Sequence, residues 1–345
     1  MKLLVFPFFA MTAFVPSALS APLVPAPKGK LVSVGGFRIH LDCSGKGSPT
    51  VVIENGFDEF STDWQQVQQG ISAFTRVCTY DRAGYAWSEL GPMPRTYAQI
   101  NLDLHNALLK AGERMPLILV GHSFGGPVVR SYALTYREDV AGLVFAESVG
   151  ESHRIVMGTK TARLVDFAQH RQIPPPRSEL SAADANHEAP EMPNSPSIEP
   201  PFDRLSSEQQ RARLWALSQP ALQVAEASER EWSPEYFALW IAKDQTKSLG
   251  DLPVEVLARA EGGFDEGLDV SAQELEKERR AEQSHLAALS SRGKLTYVAG
   301  GHEIEIDAPG AVVEGVRSMV IEWRHDKEKQ HNARESVNPE PSRMR

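Results

Sequence analysis

The feature that most constrains this chain is the run Leu117-Ile-Leu-Val-Gly-His-Ser-Phe-Gly-Gly-Pro127. Leu117 to Val120 is a continuous apolar stretch of strand length, and the residues from Pro127 to Tyr136 read as a helix. Gly121 and Gly125 flank Ser123 between the two. A strand that turns directly into a helix leaves room for only a sharp corner. Side chains at 121 or 125 would collide across it, and the residue at its tip is pushed into strained backbone geometry. The helix N-terminus then aims free N–H groups at that tip. Ser123 is therefore a candidate nucleophile.

The rest of the chain supplies a frame for such a corner. Leu31 to Leu41 predicts a hairpin turning at Gly35-Gly36, and Thr50 to Glu54 and Arg76 to Tyr80 predict strands. Ile100, Leu104, Ala107 and Leu108 give Tyr97 to Ala111 helical spacing, ended by Gly112. Val140 to Ala146 is the next strand, and Leu252 to Ala258, Lys294 to Ala299 and a closing helix over Val312 to Trp323 resume the rhythm later. Alternation of this kind predicts an α/β fold with a mainly parallel sheet and helices on both faces. Residues 31–150 and 251–323 form this expected core. Between them, residues 151–250 show helical patches and no convincing strand, and eight prolines fall between Ile173 and Leu205. That segment predicts an inserted subdomain. The charged stretch 324–345 predicts disorder.

Composition narrows the partners. A net charge of −9 argues against a nucleic-acid binder, which needs a basic face. Lys2, the apolar run Leu3 to Val15 and the small residues around Ala18-Leu19-Ser20 read as an export signal over residues 1–20. The run is short for a spanning helix, and Pro7 and Pro16 interrupt it, so no stable membrane span is expected after cleavage. Two cysteines, Cys43 and Cys78, suit an exported chain in which one bridge is possible. No Cys/His cluster has zinc spacing, so no metal is expected.

A hydroxyl attacks only when a base takes its proton. His302 lies in Val298-Ala-Gly-Gly-His-Glu-Ile-Glu-Ile-Asp-Ala-Pro309, just past the last strand, where parallel sheets place their working groups. His122 precedes the nucleophile, and the expectation is that it points to the opposite side of the turn. Two N–H donors would hold an oxyanion: Phe124, next to the nucleophile, and Phe57 in Asn55-Gly56-Phe57 after the Thr50–Glu54 strand.

Taken together, these segments resemble the α/β-hydrolase family from about Leu31 to Trp323, apart from the insertion. The matching motifs are Gly121-His-Ser-Phe-Gly-Gly126, Val77-Cys-Thr-Tyr-Asp-Arg-Ala-Gly-Tyr-Ala-Trp-Ser88, and Gly301-His302 with Asp307-Ala-Pro309 behind it. The resemblance implies an eight-stranded sheet, a Ser…acid…His order and a helical cap inserted after the sixth strand. In the implied fold the second and fourth strands are neighbours, which brings Cys43 and Cys78 together as a disulfide. Many members carry His-Gly where this chain has Asn55-Gly56. Asp81 and Arg82 are expected to tie loops together. For the acid, Asp265 and Asp269 follow the seventh strand, the family's commoner location. Glu147 ends the rigid sixth strand directly after Leu143-Val-Phe-Ala, and is favoured here. The resemblance thus implies a cofactor-free serine hydrolase that cleaves a carboxylic ester through an acyl-enzyme. Amide, lactone or C–C hydrolysis, acyl transfer, and a ligand-binding protein with the same pocket are the alternatives. The substrate is expected to be a small molecule with an apolar acyl or aryl part. Trp215, Trp232, Tyr236, Phe237 and Trp240 would line its pocket or form the cap's core.

Overall fold

The computed structural model describes residues 24–184, 195–243, 248–260, 262–264 and 267–337. The segment read as an export signal and the candidate acid Asp265 lie outside these residues. In chain order the elements are β1 (Lys30–Ser33), β2 (Arg38–Ser44), β3 (Thr50–Glu54), α1 (Gln65–Ser72), β4 (Val77–Tyr80), α2 (Tyr97–Ala111), β5 (Leu117–His122), α3 (Gly125–Thr135) and β6 (Val140–Ala146). Then come β7 (Arg154–Met157), β8 (Lys160–Arg163), α4 (Ser207–Leu217), α5 (Pro220–Ala242), β9 (Val254–Arg259), α6 (Ala272–Ala288), β10 (Gly293–Val298), α7 (Ile304–Asp307) and α8 (Pro309–Val337).

Eight strands form one sheet in the order β1-β2-β4-β3-β5-β6-β9-β10. Only the pairings of β2 with β1 and with β4 are antiparallel; the rest are parallel. The strand residues alternate between two cores, as a period of two requires. Val51, Ile53, Ile118 and Val120 pack with Val67 and Ile71 of α1 and Val312, Val316 and Val320 of α8. Val52, Leu117 and Leu119 pack on the other face with Leu104 and Leu108 of α2, Val129 and Tyr132 of α3 and Leu286 of α6. Each such side chain, fully removed from water, contributes roughly 1.5–3 kcal/mol. The central strands carry no polar face because both faces are covered.

The register aligns the carboxyl ends that matter. Glu54 pairs with Gly121, His122 with Ala146, and Ala146 with Leu257. The loops after β3, β5, β6 and β9 therefore open side by side, where ligands bind in open parallel sheets.

Two expectations need correction. Residues 151–250 do contain strands: β7 and β8 form an antiparallel hairpin around Gly158, which adopts a φ of 65°. Their four-residue length and mixed polarity hide them from a periodicity argument. At the other end, the helix does not stop at Trp323, and the expected disorder beyond it is replaced by helix as far as Val337. Arg324 donates to the carbonyls of Ser48 (3.0 Å) and Phe74 (3.1 Å), and Arg292 pairs with Glu322 and Asp326. Good helix formers tied to the body by charge extend the helix without apolar residues.

Cys43 and Cys78 are register partners in β2 and β4 and form a disulfide. The bridge closes a 35-residue separation, for which loop-closure entropy predicts about 3–4 kcal/mol. Denaturant unfolding with and without reductant should differ by that amount. Thiol titration of the unfolded, unreduced chain should find no reactive cysteine.

Candidate active site

Ser123 sits at the corner between β5 and α3 with a φ of 49°, in the left-handed region where a non-glycine residue is strained. The neighbouring glycines are dictated by contact. A Cβ on Gly125 would lie 2.3 Å from the Glu54 carbonyl oxygen, one on Gly121 would lie 2.6 Å from the Gly125 oxygen, and one on Gly126 would lie 2.4 Å from Ser148 Cβ. The corner is closed by Val149 and Gly126, whose N–H groups both donate to the Ser123 carbonyl, at 3.2 and 3.1 Å.

His302 follows β10, and its Nε2 stands 3.0 Å from Ser123 Oγ. Its loop is held from behind by Asp307, which accepts from Gly301 N–H and pairs with Arg204. Cβ atoms on Gly300 or Gly301 would come within 2.7 Å of Asp307, so the Gly-Gly-His sequence lets the carboxylate close on the loop. Burial, followed by the charge of neighbouring His122, pushes the His302 pKa down to about 3. The ring is neutral at ordinary pH, with Nε2 facing the hydroxyl.

The loop after β3 lies against the corner. A Cβ on Gly56 would be 3.1 Å from Ser123 Cβ, and the Phe57 and Phe124 rings stack with centroids 4.1 Å apart. Among the described residues, neither the Phe57 nor the Phe124 N–H donates to another group.

The three candidate acids separate. Glu147, at a φ of 44°, lines a small polar cavity together with His302. One of its oxygens accepts from Arg259 N–H at 2.7 Å, and Arg259 and Arg279 stand 3.4 and 3.6 Å from the other. Among the described residues no carboxylate is within hydrogen-bond distance of His302 Nδ1, Glu147 included. Asp269 is occupied by Thr161, whose N–H and hydroxyl donate to it at 2.8 and 3.1 Å. Asp265 lies outside the described residues.

Asp81 and Arg82 tie loops. Asp81 binds His40 Nδ1 (2.6 Å) and Ser61 N–H (2.8 Å). Arg82, fully buried, donates to the carbonyls of Asn55 (2.6 Å) and Gly56 (2.8 Å), to Glu54 (2.9 Å) and to Glu229 on α5 (3.1 Å). Tyr80 also donates to Glu54. Burial raises the Glu54 carboxyl to about 7 against the pull of Arg82. This one guanidinium joins β3, its loop and the insertion.

His122 does more than point away from the nucleophile. The ring turns away from the Ser123 hydroxyl, yet it reaches the back of the base loop. Its Nδ1 is 2.6 Å from Glu59 and its Nε2 is 2.8 Å from the His302 carbonyl. Glu59, His122 and Glu305 have ligand-type atoms within 4.8 Å of one another, a buried grouping with metal-ligand chemistry that no sequence spacing revealed. Both His122 nitrogens are already engaged within the protein, which does not fit a resident ion.

Above Ser123 is a cavity of about 490 Å³, walled by Phe57, Tyr97, Phe124, Val149, Leu164 and Phe237 among others. Of the five insertion aromatics singled out from the sequence, Phe237 alone belongs to this wall. Trp240 and Tyr236 are buried against Tyr97, Trp232 lies under the Arg171 guanidinium, and Trp215 packs on Trp87. Tyr236 and Trp240 are packing residues because α5 turns its Phe237 face to the site, and Trp232 and Trp215 lie away from it. Tyr97 and Leu164 carried no signal of their own, since nothing local distinguishes a cavity wall from a core.

Comparison with known proteins places this geometry. Residues 49–171 match the model of the alpha/beta hydrolase fold family. A 2-hydroxymuconate semialdehyde hydrolase of a Pseudomonas species is 28% identical over 142 residues, which is 41% of this chain and 50% of that protein. The structure of a thermophilic esterase from Thermogutta terrifontis superposes with a TM-score of 0.57 at 18% identity, covering 86% of this chain and 99% of that one. That of an N-acyl homoserine lactone degrading enzyme does so at 0.55 and 20%, covering 84% and 99%. The chain spans between 19% and 50% of the length of the curated relatives it matches. The mainly parallel eight-stranded sheet, the insertion after β6 and the strained serine at the β5–α3 corner define the α/β-hydrolase fold. Among the described residues, no helix is long and apolar enough to cross a membrane.

Replacing Arg82 by Leu would leave Glu54 and Glu229 buried without their partner. The expected loss is about 3–5 kcal/mol in urea unfolding. A loss below about 1 kcal/mol would show that the cluster relaxes or takes up water.

Proposed function

We propose that the protein is a serine hydrolase that cleaves a carboxylic ester through an acyl-enzyme. The observation that carries this reading is the 3.0 Å approach of His302 Nε2 to Ser123 Oγ on the wall of an apolar cavity. Ser123 Oγ attacks the ester carbonyl while His302 takes its proton, and the alkoxide leaves with that proton. His302 then activates water, whose oxygen displaces Ser123 from the acyl group. The Phe57 and Phe124 N–H groups hold the oxyanion in both steps, each contributing a few kcal/mol. Glu147, anchored by Arg259 on the cavity behind His302, steadies the imidazolium as it forms. No cofactor takes part in this scheme.

The cavity supports an apolar acyl or aryl group on the substrate, because aromatic and aliphatic side chains dominate its wall. C–C bond hydrolysis is the second reading, favoured by the similarity to the semialdehyde hydrolase. An exported location is supported by the Cys43–Cys78 disulfide, which persists in oxidising compartments.

Ser123→Ala should keep the fold and lower turnover of a p-nitrophenyl ester by several orders of magnitude. Activity near the parent level would end this mechanism. Glu147→Gln should cut turnover strongly, with Asp265→Asn and Asp269→Asn near the parent; the reverse pattern moves the acid to the segment after β9. Phe237→Ala should shift the preferred acyl length upward by opening the wall, as read from a series of esters graded by chain length. Trp232→Ala should leave that preference in place.

A further inference from the structure

We propose that the buried Glu59–His122 pair is a positioning device that locks the base loop and the oxyanion loop to the nucleophile corner. The inference rests on the serine-hydrolase reading above.

Three segments far apart in sequence meet at these two side chains. Glu59 is 3% exposed and His122 is fully buried. Glu59 accepts from the Gly56 N–H (2.9 Å), from Trp64 Nε1 (3.2 Å) and from His122 Nδ1 (2.6 Å). On its other side, His122 Nε2 is 2.8 Å from the carbonyl oxygen of His302, the residue whose ring faces Ser123. His122 is itself the last residue of β5, in register with Ala146, and Ser123 follows it directly. The chain of contacts is therefore Gly56 to Glu59 to His122 to His302, and it passes underneath the nucleophile without touching Ser123 Oγ.

The chemistry of the partners sets the state of the ring. A backbone carbonyl has no proton to give, so Nε2 must donate to it. The Glu59 carboxylate is already taking two N–H groups, so Nδ1 donates as well. With two donors His122 is an imidazolium, and Glu59 is its counter-ion. Burial opposes a charge on His122, but Glu59 and Glu305 outweigh it and hold the ring protonated far above the usual histidine range. Burial likewise raises the Glu305 carboxyl, 3.9 Å from Nε2, well above its ordinary value. A fixed charge-assisted bond at each end of a rigid ring constrains both loops more tightly than neutral bonds would.

Such a device matters because the two loops supply different catalytic parts. The Gly56 N–H bond orients the peptide next to Phe57, whose N–H is a proposed oxyanion donor. The His302 carbonyl bond sets the height of the imidazole over Ser123. A misplacement of about 1 Å in such groups costs on the order of 100-fold in rate.

The test uses the full chain, its Glu59→Gln and His122→Asn variants, a fluorophosphonate probe and a p-nitrophenyl ester. In the parent, ¹⁵N-histidine NMR should show both His122 ring nitrogens protonated at neutral pH; a single protonated nitrogen overturns the proposal even if neither variant folds. In folded variants, the labelling rate of Ser123 and kcat should fall roughly 10- to 100-fold while KM stays within about twofold. Labelling and kcat at parental values, with only the melting temperature lowered, would make the pair a structural element and refute its positioning role. A parent that the probe does not label at Ser123 overturns the hydrolase reading itself, and this proposal with it.

Discussion

The close approach of the β5–α3 corner to the end of β3 is the contact on which the site depends. Gly125 lies so near the Glu54 carbonyl that even a methyl group would stand 2.3 Å from it. That proximity exists because Glu54 and Gly121 are register partners in adjacent parallel strands. It forces Ser123 into left-handed backbone, and the surrounding hydrogen bonds of Val149 and Gly126 keep it there. Strain of this kind persists only where neighbours over-determine it, which the glycine contacts do. The hydroxyl is thereby lifted clear of the sheet edge, toward His302 and the apolar cavity.

Around this corner the protein places several buried charges, each in a network that leaves few of them unpaired. Arg82 holds the outer side of the Asn55-Gly56-Phe57 loop by its carbonyls, and Glu59 holds the inner side by the Gly56 N–H. The loop is thus pulled from both sides, leaving the Phe57 N–H unengaged among the described residues. Arg82 reaches Glu229 and Tyr85 reaches the same carboxylate at 2.6 Å, so the insertion is fastened to the core by the group that also shapes the loop. Buried ion pairs contribute little net stability, but removing one partner is costly. Their value here lies in fixing geometry where water is excluded.

Much of the site was legible in the chain. Strand residues announced themselves by apolar continuity, and the Gly121-His-Ser-Phe-Gly125 spacing announced the corner, since steric exclusion between neighbours in sequence is a local matter. His302 was legible from its place after the last strand. The role of His122 was not, because its partners are 63 and 180 residues away. The acid resisted for the same reason: Glu147 has the rigid position expected of it, but only packing decided that Arg259 would occupy its carboxylate.

The sequence by itself determined the order of the core strands and of the helices α2, α3 and α8, the strained serine and the histidine that faces it. These follow from backbone sterics and hydrophobic period, which act over a few residues. The tertiary structure decided which aromatics wall the cavity, how far the last helix runs and what holds the two loops in place. Phe237 faces the site while Trp232 lies under Arg171 because the rotation of α5 on the core selects one face of it. The helix continues past Trp323 because Ser48 and Phe74, distant in sequence, offer carbonyls to Arg324. Such contacts are chosen by proximity in space, and no pattern along the chain encodes that proximity.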